Sequence, residues 1–222
     1  MTSTLPAVFS SELWIRRFAD SARATEAQLT SLDQRVGDGD FGTNLALGTS
    51  AALARLDALT RPDDAAALDA AAAAFLDEVG GTSGPLFGLL LQSLATTVTP
   101  SGATAASLAE GVTDGLAAIR RVGDAAPGDK TLVDALTPAA EALRSASGSS
   151  RPDQALADAA RAAWQGVRET ARLRASMGRS SYLGERAEGI PDPGAVGVAL
   201  LFASAADVVR DLGPHLDGDR PG

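Results

Sequence analysis

The spacing of apolar residues predicts helices along almost the whole chain. In the first stretch, Trp14, Phe18, Ala22, Leu29 and Leu32 fall on one face of a helix. No stretch alternates apolar and polar residues as a half-buried strand would, so we predict no sheet. Joints rich in glycine, proline and aspartate separate the stretches. The pattern predicts eight helices, at about Ser11–Leu32, Asn44–Leu59, Asp64–Val79, Gly84–Thr97, Ala103–Val122, Thr131–Ala146, Pro152–Ser176 and Pro193–Leu212.

The predicted helices have similar lengths and are mostly joined by short segments, which favours antiparallel neighbours in a bundle or ring. Alanine is abundant and aromatic residues make up only 4% of the chain, as suits closely packed helices. No stretch resembles a linker that would divide the 222 residues. We therefore expect a single all-α domain over residues 1–222.

Composition and charge exclude several classes of function. The absence of cysteine excludes disulfides, thiolate metal sites and cysteine nucleophiles, and it suits a reducing compartment, so we expect a cytoplasmic protein. A net charge of −9 argues against nucleic acid or an anionic membrane as the main partner. We expect no signal peptide, and the most apolar window, residues 84–98, is too short and interrupted to span a bilayer.

Three carboxylates lie within eight residues of one another in a glycine-rich joint, DQRVGDGDFGTN. Asp33 would end the first helix, and Asp38 and Asp40, two residues apart in the loop, could point the same way. Converging carboxylates repel unless a cation lies between them, and hard oxygen ligands suit Mg²⁺. For this segment alone, a solvated turn between two helices is an equal alternative. An EF-hand loop starting at Asp38 is excluded, because Thr43 and Thr49 replace its glycine and its glutamate.

Two more joints could hold an anion at the start of a helix. Thr82 and Ser83 precede the fourth helix, where hydroxyls and unpaired N–H groups favour negative charge. The segment GDAAPGDKT nearly spells the phosphate-binding loop GxxxxGK[ST], but it follows a predicted helix rather than a strand, so a P-loop ATPase is rejected. Taken alone, the joint at Thr82 and Ser83 is better explained as an ordinary helix cap, whereas the GDAAPGDKT joint is still expected to lie near a nucleotide.

The last long joint, GRSSYLGERAEGIPDPG, combines a cation with a helix cap. Arg179 could neutralise phosphate through a bidentate contact, and Asp192 would cap the helix that follows. A surface loop with a Glu185–Arg186 pair is the alternative for this segment.

Together and in this order, the four segments resemble the L subunit, or L domain, of dihydroxyacetone kinases. This chain has GDGDFGTN, GGTSGPLF, PGDKTLVDAL and GRSSYLGERAEGIPDPGA, where the family has GDGDHGTN, GG[AT]SGPLY, PGDKTM and GRASYLGERS followed by DPGA. The resemblance implies a ring or barrel of about eight antiparallel amphipathic helices with a nucleotide site at one end. It also implies that Asp33, Asp38 and Asp40 hold two Mg²⁺ ions, which bridge the phosphates of ADP or ATP.

The resemblance further implies particular nucleotide contacts and a role for Arg179 in neutralising the transferred phosphate. The implied nucleotide-binding residues are Phe41, Gly42, Thr43, Asn44, Thr82, Ser83, Gly123, Leu132, Arg179, Asp192, Pro193 and Gly194. Three positions depart from the family: Phe41 replaces a histidine, Phe87 a tyrosine and Leu132 a methionine. The first departure removes an imidazole beside the predicted metal loop.

The activity that the resemblance implies is phosphoryl transfer from a Mg-bound nucleotide to a small ketone sugar. The sugar would be held through a histidine of a separate K-type subunit, and a phosphotransferase-system M-type subunit is a further candidate partner. The single histidine of this chain, His215, lies in the tail segment and is expected to be solvated. The alternatives are the nucleotide domain of a fatty-acid-kinase-like system and a nucleotide-sensing regulator on the same scaffold. Exchange of ATP and recharging of bound ADP both stay open.

Overall fold

Eight long helices and one short helix make up the described part of the chain. The computed structural model describes residues 9–98, 102–149, 151–177, 181 and 187–217. The helices are α1 (Ser11–Gln34), α2 (Phe41–Asp57), α3 (Asp64–Glu78), α4 (Ser83–Thr97), α5 (Ala105–Gly123), α6 (Val133–Ser145), α7 (Pro152–Thr170), α8 (Pro193–Ala203) and α9 (Gly213–Leu216). The described residues contain no β-strand, so the expected all-α fold is confirmed.

Each long helix packs against the next one along the chain, and α8 closes the ring by contacting α1. The apolar face predicted for α1 is buried at all five of its positions. Helix α8 is apolar on every side and lies in contact with α1, α2, α6 and α7, as a fully buried helix must. Three phenylalanines, Phe18, Phe75 and Phe87, stack within the core, with Phe87 at the centre.

Several helix boundaries differ from the sequence prediction. Helix α2 begins three residues earlier than expected, at Phe41, because a carboxylate oxygen of Asp33 accepts the Phe41 N–H at 3.0 Å. Helix α7 ends at Thr170 rather than Ser176, and the Thr170 carbonyl accepts a hydrogen bond from Lys130. The last predicted helix, Pro193–Leu212, was too long.

Beyond Ala203 the chain turns back to α1, where the hydroxyl of Ser21 contacts Ser204 and accepts from the Val209 N–H at 2.9 Å. Among the described residues, no helix has the length and apolar character needed to cross a bilayer.

Candidate functional site

The N-termini of α2, α4, α6 and α8 meet at one end of the ring, because neighbouring helices run in opposite directions. Residues at all four helix starts line one polar cavity there. At the opposite end, the side chains of Ser10, Asp63 and Thr104 cap α1, α3 and α5. The N-cap residues of α2, α4 and α6 make no such side-chain bond. Asp33 and Asp192 already accept N–H groups of α2 and α8, and the positive ends of the helix dipoles at this end favour an anionic ligand in the cavity.

The three aspartates of the glycine-rich joint converge at this end of the ring. One carboxylate oxygen from each of Asp33, Asp38 and Asp40 lies within 4.8 Å of the other two. Asp33 is buried in the last turn of α1, whereas Asp38 and Asp40 are exposed. Gly37 makes the arrangement possible, because a Cβ at that position would lie 2.3 Å from the Asp33 Oδ1. The convergence expected from the sequence is confirmed.

This donor set fits a hard divalent cation. Three carboxylates so close together repel one another, and a bound cation would offset that repulsion. Two of the three face solvent, so they can reach both a metal ion and a ligand that the metal bridges. The assignment of the three aspartates to metal stays a prediction.

Two adjoining cavities of different character lie between the helix N-termini. The first, of about 240 Å³, is the polar one, and its wall includes the three aspartates, Lys130 and Pro193. The second, of about 250 Å³, is lined mainly by apolar groups, among them Leu86, Ile119, Ala125 and Val133. The residues shared by both cavities are Phe41, Thr82, Ser83, Thr131, Met177, Asp192 and Gly194. The pair fits an elongated ligand with one apolar end and one polar end that a cation could bridge to the carboxylates.

Lys130 brings a buried cation to the polar cavity. It is 1% exposed, and its Nζ donates to the carbonyl oxygens of Thr170 at 2.5 Å and Ile190 at 2.6 Å. Burial lowers the pKa of the ammonium, while the carboxylates of Asp192, Glu188 and Asp134 act in the opposite direction. The sequence contains no local signal for this contact, because the two carbonyls lie 40 and 60 residues further along the chain.

Asp192 caps α8 at the same cavity, as expected. Its Oδ2 accepts the Ala195 N–H at 2.7 Å, and its own N–H donates to the Thr170 hydroxyl. Burial raises the pKa of the Asp192 carboxyl to about 7. The Ala195 hydrogen bond and Lys130 oppose this rise, and the negative charges of Asp134 and Asp33 add to it.

Phe41, which stands where the resembled family has histidine, forms the wall between the site and the core. Its ring lies 6.4 Å from that of Phe87 and is 7% exposed. Gly197 of α8 leaves room for both rings, because a Cβ there would lie 2.7 Å from Phe41 and 2.9 Å from Phe87. An apolar ring therefore suits this position, and its backbone N–H rather than its side chain connects it to Asp33.

The structure places most, but not all, of the predicted nucleotide contacts around the two cavities. Those that line a cavity are Phe41, Asn44, Thr82, Ser83, Gly123, Leu132, Asp192, Pro193 and Gly194. Gly42 and Thr43 line neither. Gly42 packs tightly against α1, where a Cβ would lie 2.4 Å from the Glu26 carbonyl oxygen, and the Thr43 hydroxyl donates to the Glu26 carboxylate. Arg179 lies outside the described residues.

His215 is not the solvated tail residue that the sequence suggested. Its ring stacks on Trp164 of α7, with centroids 4.5 Å apart, and its carbonyl accepts from Arg168. Burial lowers the pKa of its imidazole. His215 lines neither of the two cavities.

The match to known proteins covers the same segments. The family model described as the DAK2 domain matches residues 35–207. The chain belongs to the DAK2 domain family. The D-erythrulose kinase of Mycolicibacterium smegmatis is 39% identical to this DAK2 chain over 195 residues, which are 86% of this chain but 34% of that protein. The ADP-binding subunit DhaL of the PEP-dependent dihydroxyacetone kinase 1 of Listeria innocua is 33% identical over 189 residues, 85% of this chain and 90% of that subunit.

A solved structure shares the fold of this DAK2 chain. The dihydroxyacetone kinase of C. freundii, in complex with AMP-PNP and Mg²⁺, has a TM-score of 0.67 and 25% identity, over 93% of this chain and 36% of that one. The chain thus spans about a third of the erythrulose kinase and of the C. freundii kinase, and nearly the whole of the DhaL subunit. These relatives are named as kinases or as a kinase subunit.

Proposed function

We propose that this chain is the nucleotide-binding subunit of a ketose kinase of the dihydroxyacetone kinase type. One observation carries the proposal. At the end of the ring where four helices begin, a cavity with three clustered carboxylates that could hold a cation adjoins an apolar cavity. ADP or ATP has the matching shape and charge, with an apolar base and an anionic phosphate chain. The related kinase in complex with AMP-PNP and Mg²⁺ supports this choice of ligand.

In this proposal the adenine lies in the apolar cavity and the phosphates lie in the polar one. Leu86, Ile119 and Leu132 enclose the base, and the first turns of α2 and α4, with Asn44, Thr82 and Ser83, donate to the phosphates. Two Mg²⁺ ions held by Asp33, Asp38 and Asp40 would supply neutralisation of phosphate charge.

The remaining phosphate contacts in the proposal come from the segment after α7. Arg179 adds a second source of positive charge, and Asp192, Pro193 and Gly194 form the rim. Phosphoryl transfer depends chiefly on alignment and charge neutralisation, which is what these residues provide. None of them is required to act as a general base.

The acceptor in this proposal is a small ketone sugar, dihydroxyacetone or a four-carbon ketose, held by a separate K-type subunit. The L. innocua relative is named as the ADP-binding subunit of its kinase, which supports a division of labour between subunits. The erythrulose kinase similarity supports a four-carbon sugar as a candidate. His215 is packed against Trp164 and lines neither cavity, so it offers no sugar anchor at the site. A phosphotransferase-system M-type subunit is the proposed phosphate source if bound ADP is recharged in place.

The first experiment measures binding of Mg-ADP by titration calorimetry. The wild-type chain should bind, and Asp40→Asn, which removes a charge while nearly keeping the shape, should weaken binding at least about tenfold, or about 1.4 kcal/mol. Asp69, an exposed aspartate on α3, provides the matched control as Asp69→Asn and should bind as the wild type does. Unchanged affinity in Asp40→Asn would contradict the metal assignment.

The second experiment follows sugar phosphate formation directly. The chain is incubated with Mg-ATP and dihydroxyacetone or erythrulose, with and without a K-type subunit. Turnover should require the K-type subunit, because this chain supplies the phosphate end of the reaction and no sugar anchor. Full turnover by this chain alone would contradict the two-subunit proposal, and bound nucleotide without turnover in any combination would favour a nucleotide-sensing role.

A further inference from the structure

The sequence contains a single lysine, Lys130, alongside 18 arginines. Its side chain is fully buried at the wall of the polar cavity. An ammonium is compact and donates in three directions, whereas a guanidinium is wide, planar and suited to bidentate partners. The backbone of Lys130 has a φ of 61°, a strained left-handed conformation for a residue with a side chain. The buried ammonium and the left-handed backbone both indicate that specific contacts constrain this residue.

The ammonium joins two parts of the chain that are 20 residues apart. Thr170 is the last residue of α7, and its carbonyl accepts from the Leu173 N–H at 3.2 Å as well as from Lys130. Ile190 lies two residues before Asp192, which caps α8. By donating to both carbonyls, Lys130 connects the end of α7 to the segment that precedes α8.

Two further hydrogen bonds close the chain at the same place. The Gly189 N–H donates to the Ala171 carbonyl at 2.8 Å, and the Asp192 N–H donates to the Thr170 hydroxyl at 2.9 Å. The end of α7 and residues 189–192 are therefore held together. Lys130 is the charged member of this junction.

Asp129, the residue before Lys130, contacts the segment that follows α7. Asp129 accepts from the Ser176 hydroxyl at 2.5 Å through its carboxylate, and from the Ser176 N–H at 3.3 Å through its carbonyl. Ser176 adjoins Met177, which lines both cavities. Asp129 and Lys130 thus fix two walls of the site, Met177 on one side and Asp192 to Gly194 on the other.

We propose that Lys130 is a positioning residue of the nucleotide site, whose buried ammonium holds the Asp192–Gly194 turn in place around the phosphates. The inference rests on the proposed function, because it takes Mg-ADP as the ligand. Removal of the Lys130 ammonium should weaken nucleotide binding while the helical ring stays folded.

The first test compares Lys130→Met, which keeps an unbranched stem and removes the ammonium, with the wild type. Mg-ADP affinity measured by calorimetry should fall at least about tenfold, while the helical circular dichroism spectrum is retained. Arg151→Met is the matched control, since Arg151 is exposed at the start of α7, at the opposite end of the ring. The control should bind within about twofold of the wild type. Lys130→Arg should not fully restore binding, because a wide, planar guanidinium cannot reproduce the compact ammonium that donates to the two carbonyls.

Chemical rescue separates the ammonium from simple packing. The chain has no cysteine, so Lys130→Cys introduces a unique thiol. Alkylation of the unfolded variant with 2-bromoethylamine, followed by refolding, rebuilds a side chain of nearly lysine length with a terminal ammonium. Affinity should recover with this reagent and not with iodoacetamide, which adds a neutral group. Equal affinity after both treatments would overturn the inference.

The single lysine also allows a test without substitution, which holds even if the variants fail to fold. Labelling with lysine carrying ¹⁵N at Nζ gives one side-chain signal, from Lys130. A buried ammonium that donates to two carbonyls should exchange slowly with water, and its signal should shift when Mg-ADP is added. If the wild type binds Mg-ADP and the signal does not change, this inference is overturned while the proposed function stands. If the wild type binds no Mg-ADP, the proposed function falls and this inference falls with it.

Discussion

Asp33 contributes both to folding and to the candidate metal site. Its Oδ2 accepts the N–H of Phe41, the first residue of α2, across the loop that joins the two helices. The same carboxylate belongs to the cluster with Asp38 and Asp40. The loop between them is therefore held in place by a hydrogen bond that does not require a cation.

This dual role predicts different results for two substitutions of Asp33. Asp33→Ala should lower the free energy of unfolding by about 1 kcal/mol in the absence of Mg²⁺, the typical effect of losing a helix cap. Asp33→Asn keeps an acceptor for Phe41 and should retain most of that stability, yet it should lose Mg-ADP affinity as Asp40→Asn does. Urea unfolding and calorimetry measure the two effects. Equal stability of Asp33→Ala and Asp33→Asn would contradict the capping role.

Asp192 should make stability depend on pH in the metal-free protein. Its pKa is raised from 3.8 to about 7 on folding. Between about pH 4 and pH 7, the folded state retains a proton that the unfolded chain releases, so this contribution to stability is lost as the pH rises through that window. Above about pH 7 the carboxyl is ionised in both states and the contribution no longer changes.

Asp192→Asn tests this dependence, because asparagine can still cap α8 but does not titrate. Urea unfolding with a chelator present gives the stability of each protein from about pH 4.5 to about pH 7.5. The variant should gain stability relative to the wild type as the pH rises. A constant difference between the two proteins would show that Asp192 does not titrate in this window.

At the scale of elements, glycines allow the closest contacts between neighbouring helices. Gly166 of α7 faces α6 so closely that a Cβ would lie 2.3 Å from the carbonyl oxygen of Asp134 and 2.9 Å from the Ala135 Cα. The Asp134 carboxylate in turn accepts the N–H groups of Gly128 and Thr131, at 2.6 and 2.9 Å. The α6–α7 contact thus connects to the loop that carries Lys130.

Gly166→Ala should therefore affect both stability and the site. The clash involves backbone atoms, so α6 or α7 must shift, with an expected destabilisation of about 1–3 kcal/mol. Mg-ADP affinity should also fall, because the shift displaces Asp134. Gly148→Ala is the control, since a Cβ at this exposed glycine meets nothing within 4 Å. Thermal unfolding and calorimetry measure the two effects, and a Gly166→Ala protein as stable as the control would contradict the packing argument.

Across the whole molecule, the two ends of the ring have different roles. At the end opposite the site, Asp64 accepts the Ser11 N–H at 2.6 Å through one oxygen and the Ala103 N–H at 3.0 Å through the other. It thereby joins the starts of α1 and α3 to the segment that enters α5. Side chains cap α1, α3 and α5 at this end, whereas the helix starts at the site end line a cavity.

Asp64→Ala should consequently lower stability without affecting nucleotide binding. Loss of two hydrogen bonds to a charged group should lower the free energy of unfolding by about 2–3 kcal/mol. Mg-ADP affinity at a temperature where the variant is folded should stay within about twofold of the wild type. The exposed Asp69→Ala on the same helix serves as the control. A loss of affinity in folded Asp64→Ala would show that the two ends are coupled.

The sequence alone determined the class of fold and the components of the site that are close together along the chain. Apolar spacing and glycine or proline joints specify helices, because both are local properties of the backbone and of one helix face. The convergence of Asp33, Asp38 and Asp40 was predictable for the same reason, since the first and the last are only seven positions apart. The cap of α8 by Asp192 was equally local.

Only the tertiary structure decided the helix ends, the cavity and the side-chain contacts that depend on residues distant in sequence. The start of α2 depends on a carboxylate of α1, and the end of α7 coincides with a bond from Lys130, 40 residues earlier. The apolar cavity is assembled from α4, α5, α6 and the segment after α7, so no single stretch of sequence reveals it. His215 stacks on Trp164 through a fold-dependent contact that its place in a polar tail did not indicate. These features depend on which helix surfaces come into contact when the ring closes. The apolar spacing within one helix does not specify which helices will be its neighbours.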